Sequence, residues 1–145
     1  MLAQPQGTPN MKKLKPNGTR HCPCGSELAF DACCGQWLAL DGGKPTRHAP
    51  SPEALMRSRY TAYVLGDIDY LMATWHPSSV PGELELPPTH WVSLEILHVD
   101  QSAEAGVVEF RAVYKVNGKA AKMHEVSRFS CENGRWLYID GQISG

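Results

Sequence analysis

Cys22, Cys24, Cys33 and Cys34 crowd into the thirteen positions 22–34 of a chain of 145 residues that holds five cysteines. A Cys-x-Cys turn followed by a Cys-Cys pair offers four soft thiolates able to converge tetrahedrally, the donor set that zinc favours. Four sulfurs close the coordination sphere and leave no position for a substrate water, so the expected Zn²⁺ is structural. Two relaxed disulfides do not fit so short a segment, and no Cys-x-x-Cys precedes a βαβ pattern, so the spacing favours a metal over disulfide or redox chemistry. His21 adjoins the first cysteine and is expected beside the site, since four sulfurs already complete it.

A second constellation is polar and dispersed: Arg57, Arg59, Tyr60, His76, Glu125, Arg128 and Asp140. Arg57 and Arg59 stand two positions apart on a predicted helix and cannot face the same way. One guanidinium is therefore expected inside, forming a partly buried pair with Glu125 or Asp140 between helix and sheet, or else clamping an anion in a pocket. His76 or His124 with Asp140 would suit proton transfer, but His76 stands before Pro77 at a predicted helix end, where a capping or surface role is expected. Cys131 is expected as a half-buried apolar residue, and Trp75, Trp91 and Trp136 as core. No catalytic set emerges.

The elements that must hold these residues follow from the pattern. Ser26 is expected to cap a short helix over Glu27–Cys33 that brings Cys33 and Cys34 to the metal, with Gly35 ending it. Trp37, Leu38 and Leu40 are expected to dock this element on the rest, and Asp41–Pro50 reads as linker. Ser51-Pro52 opens a helix with apolar residues at Leu55, Met56, Tyr60, Tyr63 and Val64; Gly66 stops it, and Asp67 caps a second helix carrying Ile68, Leu71, Met72 and Trp75. From Trp91 the period changes to alternation. Trp91–Asp100, Val107–Val116, Ala120–Cys131 and Arg135–Asp140 are predicted strands, and the turns Asn117-Gly118 and Asn133-Gly134 make the last three a meander. In the third strand Met123 and Phe129 fall on one parity and Val126 on the other, which predicts a bulge. The fold class is α+β, with two helices against the concave face of a curved antiparallel sheet.

Cys22-Pro23-Cys24-Gly25-Ser26 with Cys33-Cys34-Gly35 resembles the SEC-C motif, the small zinc element of the SecA translocation ATPase and of several bacterial proteins. Downstream, Leu55-Met56-Arg57-Ser58-Arg59-Tyr60, Tyr70-Leu71, Thr74-Trp75-His76-Pro77, Ser127-Arg128-Phe129 and Trp136-Leu137-Tyr138-Ile139-Asp140-Gly141 resemble the bacterial YchJ family. The resemblance implies a SEC-C element at 21–38, a linker at 39–50 and a cone-like domain similar to nuclear transport factor 2 at 51–145. It also implies protein contacts made by the zinc element. Glu27, Leu28 and Ala29 stand where lysines are common in the motif, so no lysine-borne contact to an acidic partner carries over.

A net charge of −1 and a pI near 6.6 disfavour wholesale binding of nucleic acid or anionic membrane. Residues 1–20 read as a disordered tail whose Lys12, Lys13, Lys15 and Arg20 are solvated. Met11-Lys12-Lys13 is followed by Leu14–Gly18 instead of an apolar region, and no run is long enough to span a bilayer, so a cytoplasmic protein is expected. The leading expectation is a zinc-bearing adaptor with an unspecified protein partner. The alternative is a small-molecule-binding protein or enzyme that uses a cavity between helices and sheet.

Overall fold

The computed structural model describes residues 21–144; the tail expected at 1–20, with its lysines and Arg20, lies outside the described residues. Where a helix over Glu27–Cys33 was expected, two 3-10 turns stand at Phe30–Ala32 and Cys34–Gln36. Glu27 adopts φ 70°, which no α-helix accommodates, and Ser26 Oγ is 3.1 Å from Cys33 Sγ and accepts from Leu28 N at 3.2 Å. The serine therefore shapes a turn at the cysteines instead of capping a helix.

The stretch 39–50 contains a small hairpin, β1 (Leu40–Asp41) with β2 (Lys44–Pro45), closed by Gly42-Gly43 at φ 61° and 81°. Helix α1 (Pro52–Leu65) starts as its sequence requires: Ser51 Oγ accepts from Ala54 N at 3.0 Å, and Gly66 ends the helix at φ 74°. Asp67 caps α2 (Ile68–Ala73) by accepting from Tyr70 N at 3.0 Å. Past α2 the chain is stitched to the last strand, since Tyr138 N donates to Thr74 O at 2.9 Å and His76 N to Tyr138 O at 2.7 Å.

Four antiparallel strands follow in sequential order: β3 (His90–Gln101), β4 (Ala105–Val116), β5 (Lys119–Glu132) and β6 (Arg135–Ser144). Both Asn-Gly pairs carry positive φ at both residues, the backbone that hairpin turns demand. Val108, Phe110 and Ala112 of β4 face the helices, and Ser127, Glu125 and Met123 of β5 stand directly opposite them. The β4–β5 register is unbroken. The bulge expected within β5 lies instead in its partner β6, where Arg128 pairs with Asp140 and Phe129 with Tyr138, and in β3 at two further steps. What disturbs the alternation of β5 is polar: Glu125 and Ser127 occupy inward positions.

The main core joins Leu55, Met56 and Tyr60 of α1 to Leu94, Val108, Phe110, Phe129 and Trp136 of the sheet. Cys22, Cys24 and Cys34 belong to that same core, so the cysteine element and the helix–sheet body share one interior. Trp37, Leu38 and Leu40 pack against a second cluster of Ala62, Tyr70 and Leu71. Among the described residues no helix is long and apolar enough to cross a membrane.

Candidate metal centre and pocket

The thiols of Cys22, Cys24, Cys33 and Cys34 lie within 4.8 Å of one another, and Cys24 Sγ is 3.6 Å from Cys33 Sγ. A tetrahedral ion with metal–sulfur bonds of about 2.3 Å places its sulfurs about 3.8 Å apart, so this cluster fits one metal ion. Gly25, at φ 84°, makes the approach possible: a side chain there would be strained by the backbone and would press on Leu94 O. Three groups supply hydrogen bonds to the sulfurs. Ser26 Oγ is 3.1 Å from Cys33 Sγ, Thr61 Oγ1 is 3.7 Å from Cys22 Sγ, and Arg57 Nη1 is 3.8 Å from Cys24 Sγ. Arg57 reaches the site from α1, with its Nε on Glu53 at 3.0 Å and Nη1 on Cys24 O at 2.8 Å. Burial works against that cation, yet the bonds to Glu53 and Cys24 outweigh burial and raise its pKa.

Thiol hydrogen bonds within the cluster divide its protons unequally. Cys24 is held far below the ordinary thiol range, first by Cys22 and then by Cys34, while Cys34 is pushed far above it by Cys22 and Cys24. Four thiolates this close would repel one another, so all four sulfurs would ionise together only around a cation. His21 is exposed and forms a bridge with Ala29 outside the sulfur set.

The second site is a cavity of about 290 Å³ between α1 and the sheet. Tyr60, Tyr63, Trp91, Phe110 and Tyr138 give its walls aromatic faces, and its charged or hydroxyl-bearing aliphatic side chains are Arg59, Glu125 and Ser127. Arg59 is 2% exposed. Its guanidinium lies 4.4 Å from the Tyr138 ring centroid and 4.9 Å from that of Trp75, and Nη1 donates to Leu71 O and Thr74 Oγ1, both at 2.8 Å. Burial lowers its pKa from the ordinary arginine value. Glu125 accepts from Ser127 Oγ at 2.6 Å and from Tyr138 OH at 3.4 Å. Burial, then the nearby Glu125 charge, pushes the Tyr138 phenol up, so it stays a donor.

Of the dispersed polar residues, Arg59, Tyr60 and Glu125 meet at this cavity, while Arg57 turns to the cysteines. The expected arginine–carboxylate pair between helix and sheet is replaced. Arg59 does go inside, but carbonyl, hydroxyl and ring faces receive it, because the ends of α2 and β6 reach its head first. Arg128 and Asp140 do pair, at 2.8 and 2.7 Å, but on the exposed outer face and within the sheet. His76 is also peripheral: its Nδ1 accepts from Ser78 N at 3.0 Å, which leaves Nε2 to donate to Glu132 at 2.6 Å. His124 bridges Glu109 and Ser144 on the sheet. Tyr63, Trp91, Ser127 and Tyr138 were not singled out from the sequence as pocket residues. Trp91 matched a core pattern, and the signal for Ser127 was the inward polar parity of β5.

Residues 51–141 match the family model described as YchJ, middle NTF2-like domain. A UPF0225 protein of Chromobacterium violaceum is 48% identical over 140 residues, covering 91% of this chain and 99% of the relative. One of Streptomyces coelicolor is 46% identical over 129 residues, covering 86% and 97%. The solution structure of a SEC-C motif containing protein from Rhodopseudomonas palustris superposes with a TM-score of 0.73 at 35% identity, covering 87% of this chain and 100% of that one. The crystal structure of another from Psychrobacter arcticus gives 0.70 at 25% identity, covering 88% and 85%.

Proposed function

From the premise that this chain belongs to the UPF0225 family of YchJ-like proteins, with an NTF2-like domain at residues 51–141, we propose that it is a small-molecule-binding protein braced by one structural zinc. The observation that carries this reading is the buried Arg59 head on the wall of an aromatic-lined cavity, with part of its hydrogen-bonding capacity unused among the described residues. Small-molecule sites are concave, mostly apolar and equipped with a few polar groups, and this cavity has that composition. Zinc suits the sulfur cluster because thiolate sets select soft or borderline ions, and a four-sulfur sphere leaves no reactive position. The metal then fixes the loop against which α1 packs, and α1 carries Met56, Arg59, Tyr60 and Tyr63 into the cavity.

Two measurements test the proposal. Metal analysis of protein prepared with zinc present is expected to give one Zn per chain, and a substoichiometric content would remove the brace. Fragment screening by NMR is expected to give ligands that shift Trp91 and Tyr138 signals and are lost in Ala112→Phe, which fills the cavity. A library without such hits would overturn the binding reading.

A protein-adaptor role is the second reading. It is supported by Leu28, which is 54% exposed at the tip of the cysteine loop while its carbonyl is tied to Cys22 N at 2.8 Å. A rigid apolar tip suits a protein contact. Capture experiments with wild type and Leu28→Asp discriminate, since the pocket reading requires no loss of ligand in that variant.

A further inference from the structure

The cavity carries more than volume. Arg59 spends only Nη1 on the protein; Nε and Nη2 have no acceptor among the described residues. Arg59 is among the side chains that line the cavity. Arg59 also belongs to none of the ion pairs among the described residues. Among the described residues Glu125 likewise has no cation within 4.0 Å, and its partners there, Ser127 and Tyr138, both donate to one oxygen, Oε2. One wall thus offers a fork of free N–H groups and another a carboxyl acceptor, with aromatic rings around both.

We infer that the cavity binds a small aromatic carboxylic acid that also bears a hydroxyl or amino group, its carboxylate on Arg59 and its donor on Glu125. This rests on the pocket reading above and names its ligand class. A planar carboxylate matches the guanidinium fork, and a carboxylate desolvated against it gains a charge-assisted pair. Glu125 rewards a ligand donor and repels a second anionic group, which selects against dicarboxylates. A phosphate fits poorly, because among the described residues Arg59 is the one cation lining the cavity, with no second one to offset a further negative charge. Rings of Tyr60, Tyr63, Trp91, Phe110 and Tyr138 favour a flat body by edge and offset stacking. About 290 Å³ accommodates one ring with short substituents.

The test is a calorimetric and NMR titration of the zinc-loaded full chain with a matched set: 3- and 4-hydroxybenzoate, benzoate, phenol, and the methyl esters of the two hydroxybenzoates. At least one hydroxybenzoate is expected to bind about tenfold or more tightly than benzoate, phenol and its own ester, the size of losing one charge-assisted hydrogen bond. Glu125→Gln is expected to shrink the advantage over benzoate while leaving the advantage over the ester. The comparison among probes uses the wild-type protein, so it stands even if an Arg59 variant fails to fold. Esters or phenol binding as well as the acids would overturn the ligand class and leave the pocket reading intact. Silence from every probe, together with hits from the wider fragment screen, would also overturn only the class. Silence from both would overturn the pocket itself.

Discussion

Arg57 on α1 donates from Nη1 to the backbone carbonyl of Cys24 at 2.8 Å, and the same nitrogen lies 3.8 Å from the Cys24 sulfur. One side chain thereby ties the cysteine loop to the helix that lines the pocket. Two positions on, Arg59 points into the helix–sheet interior, so successive arginines of one helix serve different sites.

The first prediction concerns cooperativity. Cys22, Cys24 and Cys34 share the main core, and structural zinc contributes on the order of 10 kcal/mol to the folding of such a site, comparable with the whole stability of a small domain. Cys33→Ser, or stripping with a strong chelator, is therefore expected to lower a single thermal transition of the entire described body by many degrees. Circular dichroism at two wavelengths and near-UV tryptophan signals should move together. A small early transition confined to residues 21–38, with the rest melting as before, would refute the shared core.

A contrasting prediction concerns an ion pair on the outer face of the sheet. Arg128 and Asp140 form a two-pronged bond on the exposed sheet face, where water screens the charges and the long side chains lose freedom. Asp140→Asn is expected to melt with the wild type at neutral pH. The Arg128 cation holds the Asp140 carboxyl below its usual range, so whatever stability the pair adds is present above the unfolded carboxylate pKa and fades as pH falls through the lower folded value. Melting curves of the two proteins should coincide at neutral pH; a marked drop for the variant would mean that the outer face is less exposed than it stands here.

Much of this architecture was legible because local chemistry and fold agree. Ser51-Pro52, Gly66 and Asp67 mark the helix boundaries by capping, and the Asn-Gly pairs place both hairpin turns. The spacing of the cysteines was enough to mark them as one cluster. The helix expected at Glu27–Cys33 failed because Ser26 binds within the cysteine turn, and sequence pattern does not distinguish a helix cap from a turn of that kind. The partners of Arg59 were hidden for another reason: ring faces and carbonyls contributed by distant segments can hold part of a guanidinium in place of a carboxylate. The broken alternation of β5 was visible but ambiguous, since a bulge and an inward polar pair disturb parity in the same way. Phe110 opposite Glu125 and Val108 opposite Ser127 resolve it, and they place the polar pair in the cavity wall.

A third prediction uses the buried phenols. Burial pushes both Tyr60 and Tyr70 up to about 12, above the ordinary value of 10.0. The folded state holds these protons more tightly than the unfolded chain, so the associated stability is intact below pH 10 and is lost as pH rises toward 12. Absorbance at the tyrosinate band should show a late group of phenols ionising together with unfolding. Ionisation of all five tyrosines in one step near pH 10, with the fold retained, would contradict the burial.

The last prediction tests the seat of Glu125. A Cβ placed on Gly141 would collide with the Glu125 carboxylate, so the strand after the β6 bulge must carry glycine for that side chain to rest where it does. Gly141→Ala should force Glu125 out of its bonds with Ser127 and Tyr138, a steric insertion that costs about 1–3 kcal/mol. Glu125→Ala alone should also destabilise, since it leaves the Ser127 hydroxyl unpaired at a buried position. Combined, the two changes no longer clash, so the double variant should be more stable than the sum of the single losses predicts, with a coupling of about 1 kcal/mol or more, as is found for residues in contact. Urea denaturation of the four proteins in the cycle measures that coupling. Additive losses would mean that the carboxylate does not rest against Gly141, and Glu125 would then not face the cavity as the ligand's acceptor.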